Sequence, residues 1–191
     1  MPMLKVLLDA LRGPLTEPPP ALDDDDLRAL AETLDAAARR RLGRSLSIRH
    51  VDAGSCNGCE LEIHALSNAF HDLERYGLRF VASPRHADVL LVTGVVTTNM
   101  REAVERTYAA MPGPKWVVAV GDCAVGGGLF AGSYAIVGPL DAVVPVDLRI
   151  PGCPPDPTAL LKGLLAVMES ATRNSPPGSP TAPPDPPRSG D

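Results

Sequence analysis

Apolar positions along the chain switch repeatedly between two periods, and those switches outline the fold. Leu46–Val51, Leu78–Ala82, Val89–Thr93, Trp116–Val120 and Val143–Ile150 are short apolar runs rich in β-branched residues, which predict strands. Val89–Thr93 is apolar almost throughout, the pattern of a strand covered on both faces. Between the runs the spacing becomes helical. Glu60–Tyr76 places Leu61, Ile63, Leu66, Phe70 and Leu73 on or near one side, Met100–Met111 follows Thr98 as a candidate cap, and Thr158–Ser170 closes the series. Strands alternating with helices predict an α/β fold, doubly wound, with a mostly parallel sheet and flanking helices.

The flanks read differently. Leu4, Leu7, Leu8 and Leu11 share a face at helical spacing, Pro18–Pro20 interrupt it, and a second helix is expected over Leu27–Arg41. The acidic run Asp23–Asp26 suits the N-terminus of that helix, where negative charge complements the dipole. From Ser175 the chain is Pro, Gly, Ser and Thr with almost nothing apolar, and disorder is expected there. The organisation expected is a helical extension over 1–44, a folded domain over 45–173 and a Pro-rich tail over 174–191.

Composition narrows the function. The chain is 45% hydrophobic over 191 residues, enough for one domain with its own core. Aromatics are only 4% and the formal net charge is -5, with no Lys/Arg stripe, which argues against a nucleic-acid partner. The first residues, with Lys5 and Asp9 inside the apolar stretch, do not read as a signal peptide, and no apolar run approaches the roughly 20 residues that span a bilayer. A reducing, cytoplasmic setting is therefore expected, where cysteines more often bind metal or do redox work than pair.

The four cysteines are Cys56, Cys59, Cys123 and Cys153. Each group follows a predicted strand, and ligand sites in open parallel sheets gather beyond the carboxyl ends of the strands. Glycines crowd them: Gly54, Gly58, Gly121, Gly126–Gly128 and Gly152. Small residues let backbone N–H groups approach cluster sulfurs. Buried structural cysteine, zinc and a thioredoxin-like pair are the competing readings. Zinc sites usually add a second close pair, whereas Cys123 and Cys153 lie far apart, and a redox pair would leave both idle. A 4Fe–4S cluster accounts for all four. His50, His64, His71 and His86 are scattered and read as surface residues, Glu60 and Glu62 as dipole-complementing acids, with coupling of proton movement to cluster charge a lesser reading for Glu60. The glycine run does not match a dinucleotide fingerprint.

The motifs themselves resemble a known family. Gly54-Ser55-Cys56-Asn57-Gly58-Cys59-Glu60-Leu61-Glu62-Ile63 resembles the first cluster motif of small subunits of membrane-associated nickel–iron hydrogenases of the formate hydrogenlyase type, in the superfamily of the complex I 20 kDa subunit. Ser83–Gly94, Gly121-Asp122-Cys123-Ala124 and Pro151-Gly152-Cys153-Pro154-Pro155 resemble its later motifs, in the same order. The resemblance implies a flavodoxin-like domain in which Cys56, Cys59, Cys123 and Cys153 hold one 4Fe–4S cluster beside the active site of a large subunit. The implied partners are that hydrogenase-like large subunit, ferredoxin-like iron–sulfur subunits and membrane-arm subunits. The implied location is peripheral, on the cytoplasmic side of the inner membrane. The spaced Cys56/Cys59 pair is the hydrogenase arrangement, since complex I subunits typically carry adjacent cysteines there. A complex I-like quinone oxidoreductase subunit and a zinc-stabilised interaction module are the alternatives. Asp156 departs from the family pattern, which often has Arg or Thr at that position.

Overall fold

The computed structural model describes residues 24–69 and 71–173. The expected Leu4–Leu11 helix, the Pro18–Pro20 break, Phe70 and the tail lie outside the described residues. Five strands form one sheet: β1 (Ser47–Asp52), β2 (Arg79–Phe80), β3 (Val89–Thr93), β5 (Trp116–Val120) and β7 (Leu148–Ile150). Their order is β2-β1-β3-β5-β7, and every pairing is parallel. β4 (Val96–Thr97) and β6 (Ile136–Gly138) make a separate antiparallel pair. The helices are α1 (Asp24–Leu42), α2 (Gly58–Ala65), α3 (Arg101–Ala110), α4 (Gly121–Gly126) and α5 (Pro157–Arg173). The α/β, parallel architecture is the one the alternation predicts.

Period-two side-chain alternation divides the core between the two faces of the sheet. Val89, Leu91, Val118 and Val120 pack with Ile48, with Leu34 and Ala38 of α1 and with Leu160, Leu161 and Leu164 of α5. Leu90, Val92, Val117 and Ala119 pack on the opposite face with Val104 of α3 and Leu140. All five residues of β3 and all five of β5 are buried, which is why both runs are apolar but for Thr93. Helix α1, N-terminal to residue 45, thus lies in the same core as the sheet.

Several boundaries differ from the sequence reading. The helix expected over Glu60–Tyr76 ends at Ala65. Leu66, Ser67 and Asn68 donate to carbonyls three residues back, and Asp72 sits at φ 40 before a single 3₁₀ turn, Leu73–Tyr76. Leu66 and Leu73 are both buried, so the spacing of leucines persists through a turn that is not helical. The strand expected over Val143–Ile150 shrinks to β7, because a 3₁₀ turn at Leu140–Ala142 precedes it and Pro145 supplies no ladder donor. The strand expected over Leu78–Ala82 pairs only through Arg79 and Phe80. Thr98 does not cap α3: its hydroxyl donates to Ala135 O, while Thr97 Oγ1 accepts from Met100 N at 3.3 Å. The helix α4 was not anticipated at all. Asp156 caps α5, its Oδ1 accepting from Ala159 N at 2.7 Å.

Candidate metal centre at the carboxyl edge of the sheet

Strand register lines up the site. Asp52 pairs with Thr93, Thr93 with Val120, and Val120 with Ile150, so four strands end in one row. Cys56 and Cys59 follow the first of them, Cys123 the third and Cys153 the fourth. All four cysteines line one small cavity of about 80 Å³, together with Ser55, Gly58, Gly94, Asp122, Gly152 and Pro154. Cys56 and Cys153 are exposed, Cys59 and Cys123 half-buried. Cys59 lies in the first turn of α2 and Cys123 within α4.

Short-range hydrogen bonds hold these segments in place. Asp52 Oδ1 accepts from both Gly54 N and Ser55 N at 2.8 Å, turning the chain out of β1. Asn57 then adopts φ 73, a left-handed conformation that Asn tolerates, and α2 begins. Between the two distant cysteine segments the bonding is reciprocal. Asp122 N donates to Gly152 O and Gly152 N donates to Asp122 Oδ1, both at 2.9 Å. The Cys153–Pro154 peptide is cis.

Close approach to sulfur explains one of the glycines. Gly121 has φ 86, and a Cβ there would stand 2.6 Å from Cys59 Sγ. Any other residue would push into the space the sulfur occupies.

Electrostatics bear on what the cavity can hold. Burial, followed by the charges of Glu60, Cys123, Cys56 and Cys153, pushes the Cys59 thiol up to about 12. Burial and the charges of Cys153, Cys56 and Asp122 raise Cys123 as well. Neighbouring thiolates thus oppose ionisation of Cys59 and Cys123, and a cationic group held among the sulfurs would relieve that opposition. Among the described residues, no three His, Cys, Asp or Glu side chains converge closely enough to hold a single ion. Four thiols lining one cavity are, by donor chemistry, a set that an iron–sulfur core can use.

Behind Cys59 lies a polar group, in the first turn of α2 as expected, whose burial the sequence did not announce. Glu60 is 7% exposed. Thr93 Oγ1 donates to its Oε1, His50 Nε2 lies 2.9 Å from Thr93 Oγ1, and Glu60 Oε2 has no partner. His50 is thus on a strand and mostly enclosed, where burial lowers its pKa against the opposing pull of Glu60 and Asp52. The only sequence signal was its alternation with Val51 on β1.

A parallel sheet with four cysteines gathered at its carboxyl edge defines an α/β protein with a thiol-lined site. The chain belongs to the family described as NADH ubiquinone oxidoreductase, 20 Kd subunit, which matches residues 56–167. It is 47% identical over 132 residues to a probable membrane-bound hydrogenase subunit of Pyrococcus furiosus, covering 69% of this chain and 79% of the relative. Formate hydrogenlyase subunit 7 of Escherichia coli is 43% identical over 136 residues, 71% of this chain and 53% of that protein. A solved chain of the membrane-bound sulfane sulfur reductase, an archaeal respiratory membrane complex, superposes with TM-score 0.61 at 35% identity, covering 75% of this chain and 77% of that one. A chain of an NAD+-reducing [NiFe]-hydrogenase superposes with TM-score 0.53 at 21% identity over 72% and 96%, a likeness of fold. The expected membership is borne out, and the chain is a subunit type of oxidoreductase complexes. Among the described residues no helix is long and apolar enough to cross a membrane.

Proposed function

We propose that this chain carries one 4Fe–4S cluster on Cys56, Cys59, Cys123 and Cys153 and relays electrons to or from the active site of a nickel–iron hydrogenase-like large subunit. The observation that carries the reading is the convergence of four thiols, from three separate strand ends, on one cavity. When bound, the cluster supplies a one-electron carrier. The chain's own work is to position and insulate. Asp52 and Asp122 fix the cysteine segments by accepting backbone N–H groups, Gly121 clears space beside Cys59, and apolar β3 and β5 keep water from the inner side. No step of bond-making is assigned to the chain alone.

The remaining partners are ferredoxin-like iron–sulfur subunits and membrane-arm subunits, with the chain peripheral on the cytoplasmic side of the membrane. Its relatives, a probable membrane-bound hydrogenase subunit and a formate hydrogenlyase subunit, support that assembly. Residues 45–173 form the cluster domain with α1 packed into its core, and the part of 1–44 that precedes α1 extends toward the membrane arm or a partner; deleting residues 1–16 should weaken membrane association. A partner other than a hydrogenase has one specific support, the 35% match to the sulfane sulfur reductase chain. Sequencing the co-purifying large subunit decides: two C-x-x-C pairs support nickel, and their absence transfers the reading to the other partner class.

Iron, acid-labile sulfide and EPR on anaerobically purified protein test the cluster. About four irons per chain and a reducible signal are expected, and Cys153→Ser should lose most of both. Stoichiometric zinc with no reducible signal would overturn the proposal, as would an intact cluster in Cys153→Ser.

A further inference from the structure

A second cavity, separate from the cysteines, opens beside the edge of the sheet where β2 stops after two residues. It measures about 470 Å³, within the range of small-molecule sites. Its polar wall is Arg49 and His50 from β1 with His64 and Ser67 from and just after α2; Ile63 and Phe80 give it an apolar side. The described residues lining it include no carboxylate. The nearest acids, Glu60 and Asp52, act on His50, Glu60 Oε1 lying 3.8 Å from its Nε2, and neither lines the cavity.

Arg49 is the telling residue. Its Nε is shielded from solvent and donates to nothing. Several other arginines are ion-paired: Arg39 with Asp35, Arg44 with Asp88, Arg101 with Glu105, Arg106 with Glu102, and Arg149 with Asp141. A guanidinium with a desolvated, unused donor costs free energy unless an acceptor completes it. We propose that this cavity is an oxyanion site, accepting a phosphate or carboxylate group on a short apolar body, with Arg49 as the fork and His64 and Ser67 as further donors. Ile63 and Phe80 would hold the apolar portion. An oxyanion suits Arg better than Lys here, because the planar fork offers two parallel donors to one group.

The oxyanion could belong to a free small molecule or to an acidic side chain of a partner subunit, and the experiment separates these. Phenyl phosphate is titrated by calorimetry into the anaerobically purified full chain and, separately, into the chain within its native complex. Saturable binding to the chain, weakened at least tenfold in Arg49→Gln and less in Arg49→Lys, is the expected result. Retention of that binding in the complex identifies a small-molecule site, whereas its loss only in the complex assigns the cavity to a partner's carboxylate. Arg49→Gln is checked for an unchanged unfolding midpoint, and His64→Gln, on the helix surface, provides an independent weakening. No saturable binding to the isolated chain, or equal binding in all three variants, overturns the proposal. Cluster content is unaffected in every arm, so failure here leaves the electron-transfer reading untouched.

Discussion

Replacing Gly121 by Ala separates a backbone effect from a collision with sulfur. Gly121 has φ 86, and its added Cβ would stand 2.6 Å from Cys59 Sγ, 0.8 Å inside the 3.4 Å at which ordinary contact begins (3.4 − 2.6). Adopting a left-handed φ costs an alanine about 1–2 kcal/mol. Forcing a methyl into filled space costs about 1–3 kcal/mol more. Gly132 provides the control, with φ 83 and nothing within 4 Å of the added Cβ. Gly132→Ala should therefore pay only the backbone part, about 1–2 kcal/mol. The expected outcome in urea titrations of the two variants is an extra loss of about 1–3 kcal/mol for Gly121→Ala. Iron and sulfide content should also fall in Gly121→Ala, because Cys59 can no longer hold its place, and stay at the parental level in Gly132→Ala. Equal stability and equal cluster content in the two variants would refute the reasoning.

Three further outcomes follow from the packing and the polar groups. Asp88 is 4% exposed and accepts from Arg44 at 2.6 and 3.0 Å and from Ser47 N at 3.0 Å. Asp88→Ala should cost about 1–3 kcal/mol by stranding that buried N–H, with little more from the half-exposed Arg44, and Asp88→Asn should recover part of it in chemical denaturation. Leu34 of α1 is fully buried against the sheet, so Leu34→Ala should cost about 2–5 kcal/mol; a loss under about 0.5 kcal/mol would mean that α1 is not part of the folding unit. His50 is held below its usual 6.5 by burial, so the unfolded chain takes up that proton first and stability falls as pH drops from 6.5 toward the lower folded value. Thermal unfolding of His50→Gln should lack that part of the acid slope, and an unchanged slope would contradict the enclosed placement of the ring.

Legibility tracked the reach of the interactions involved. β3 and β5 were readable to the residue because burial on both faces leaves a continuous apolar signature bounded by Asp88 and Lys115. The cysteine edge was readable because each cysteine falls within a few residues of a strand end, and local glycines accompany it. The helix after Cys59 was overextended because Leu66 and Leu73 keep helical spacing while the backbone turns through Asn68 and Asp72. Glu60 was read as a dipole-complementing acid at a helix start, and its burial was not legible because its partners, Thr93 and His50, lie 33 and 10 residues away. Arg49 is a similar case: a charged residue on an edge-adjacent strand looks ordinary until the early end of β2 exposes the cavity beside it.

The order in which the cysteine segments leave the ribosome gives the β2-β1-β3-β5-β7 sheet a temporal meaning. Chains emerge N-terminal end first, so Cys56 and Cys59 are available long before Cys153, the residue whose segment is tied to Asp122 by the reciprocal pair of bonds. Until β7 docks at the edge of the sheet, the fourth thiol has no fixed position and the cavity has no closing wall. Maturation of the centre is in that sense a readout of completed translation: a truncated or stalled chain can display two or three of its sulfurs but never the finished cup.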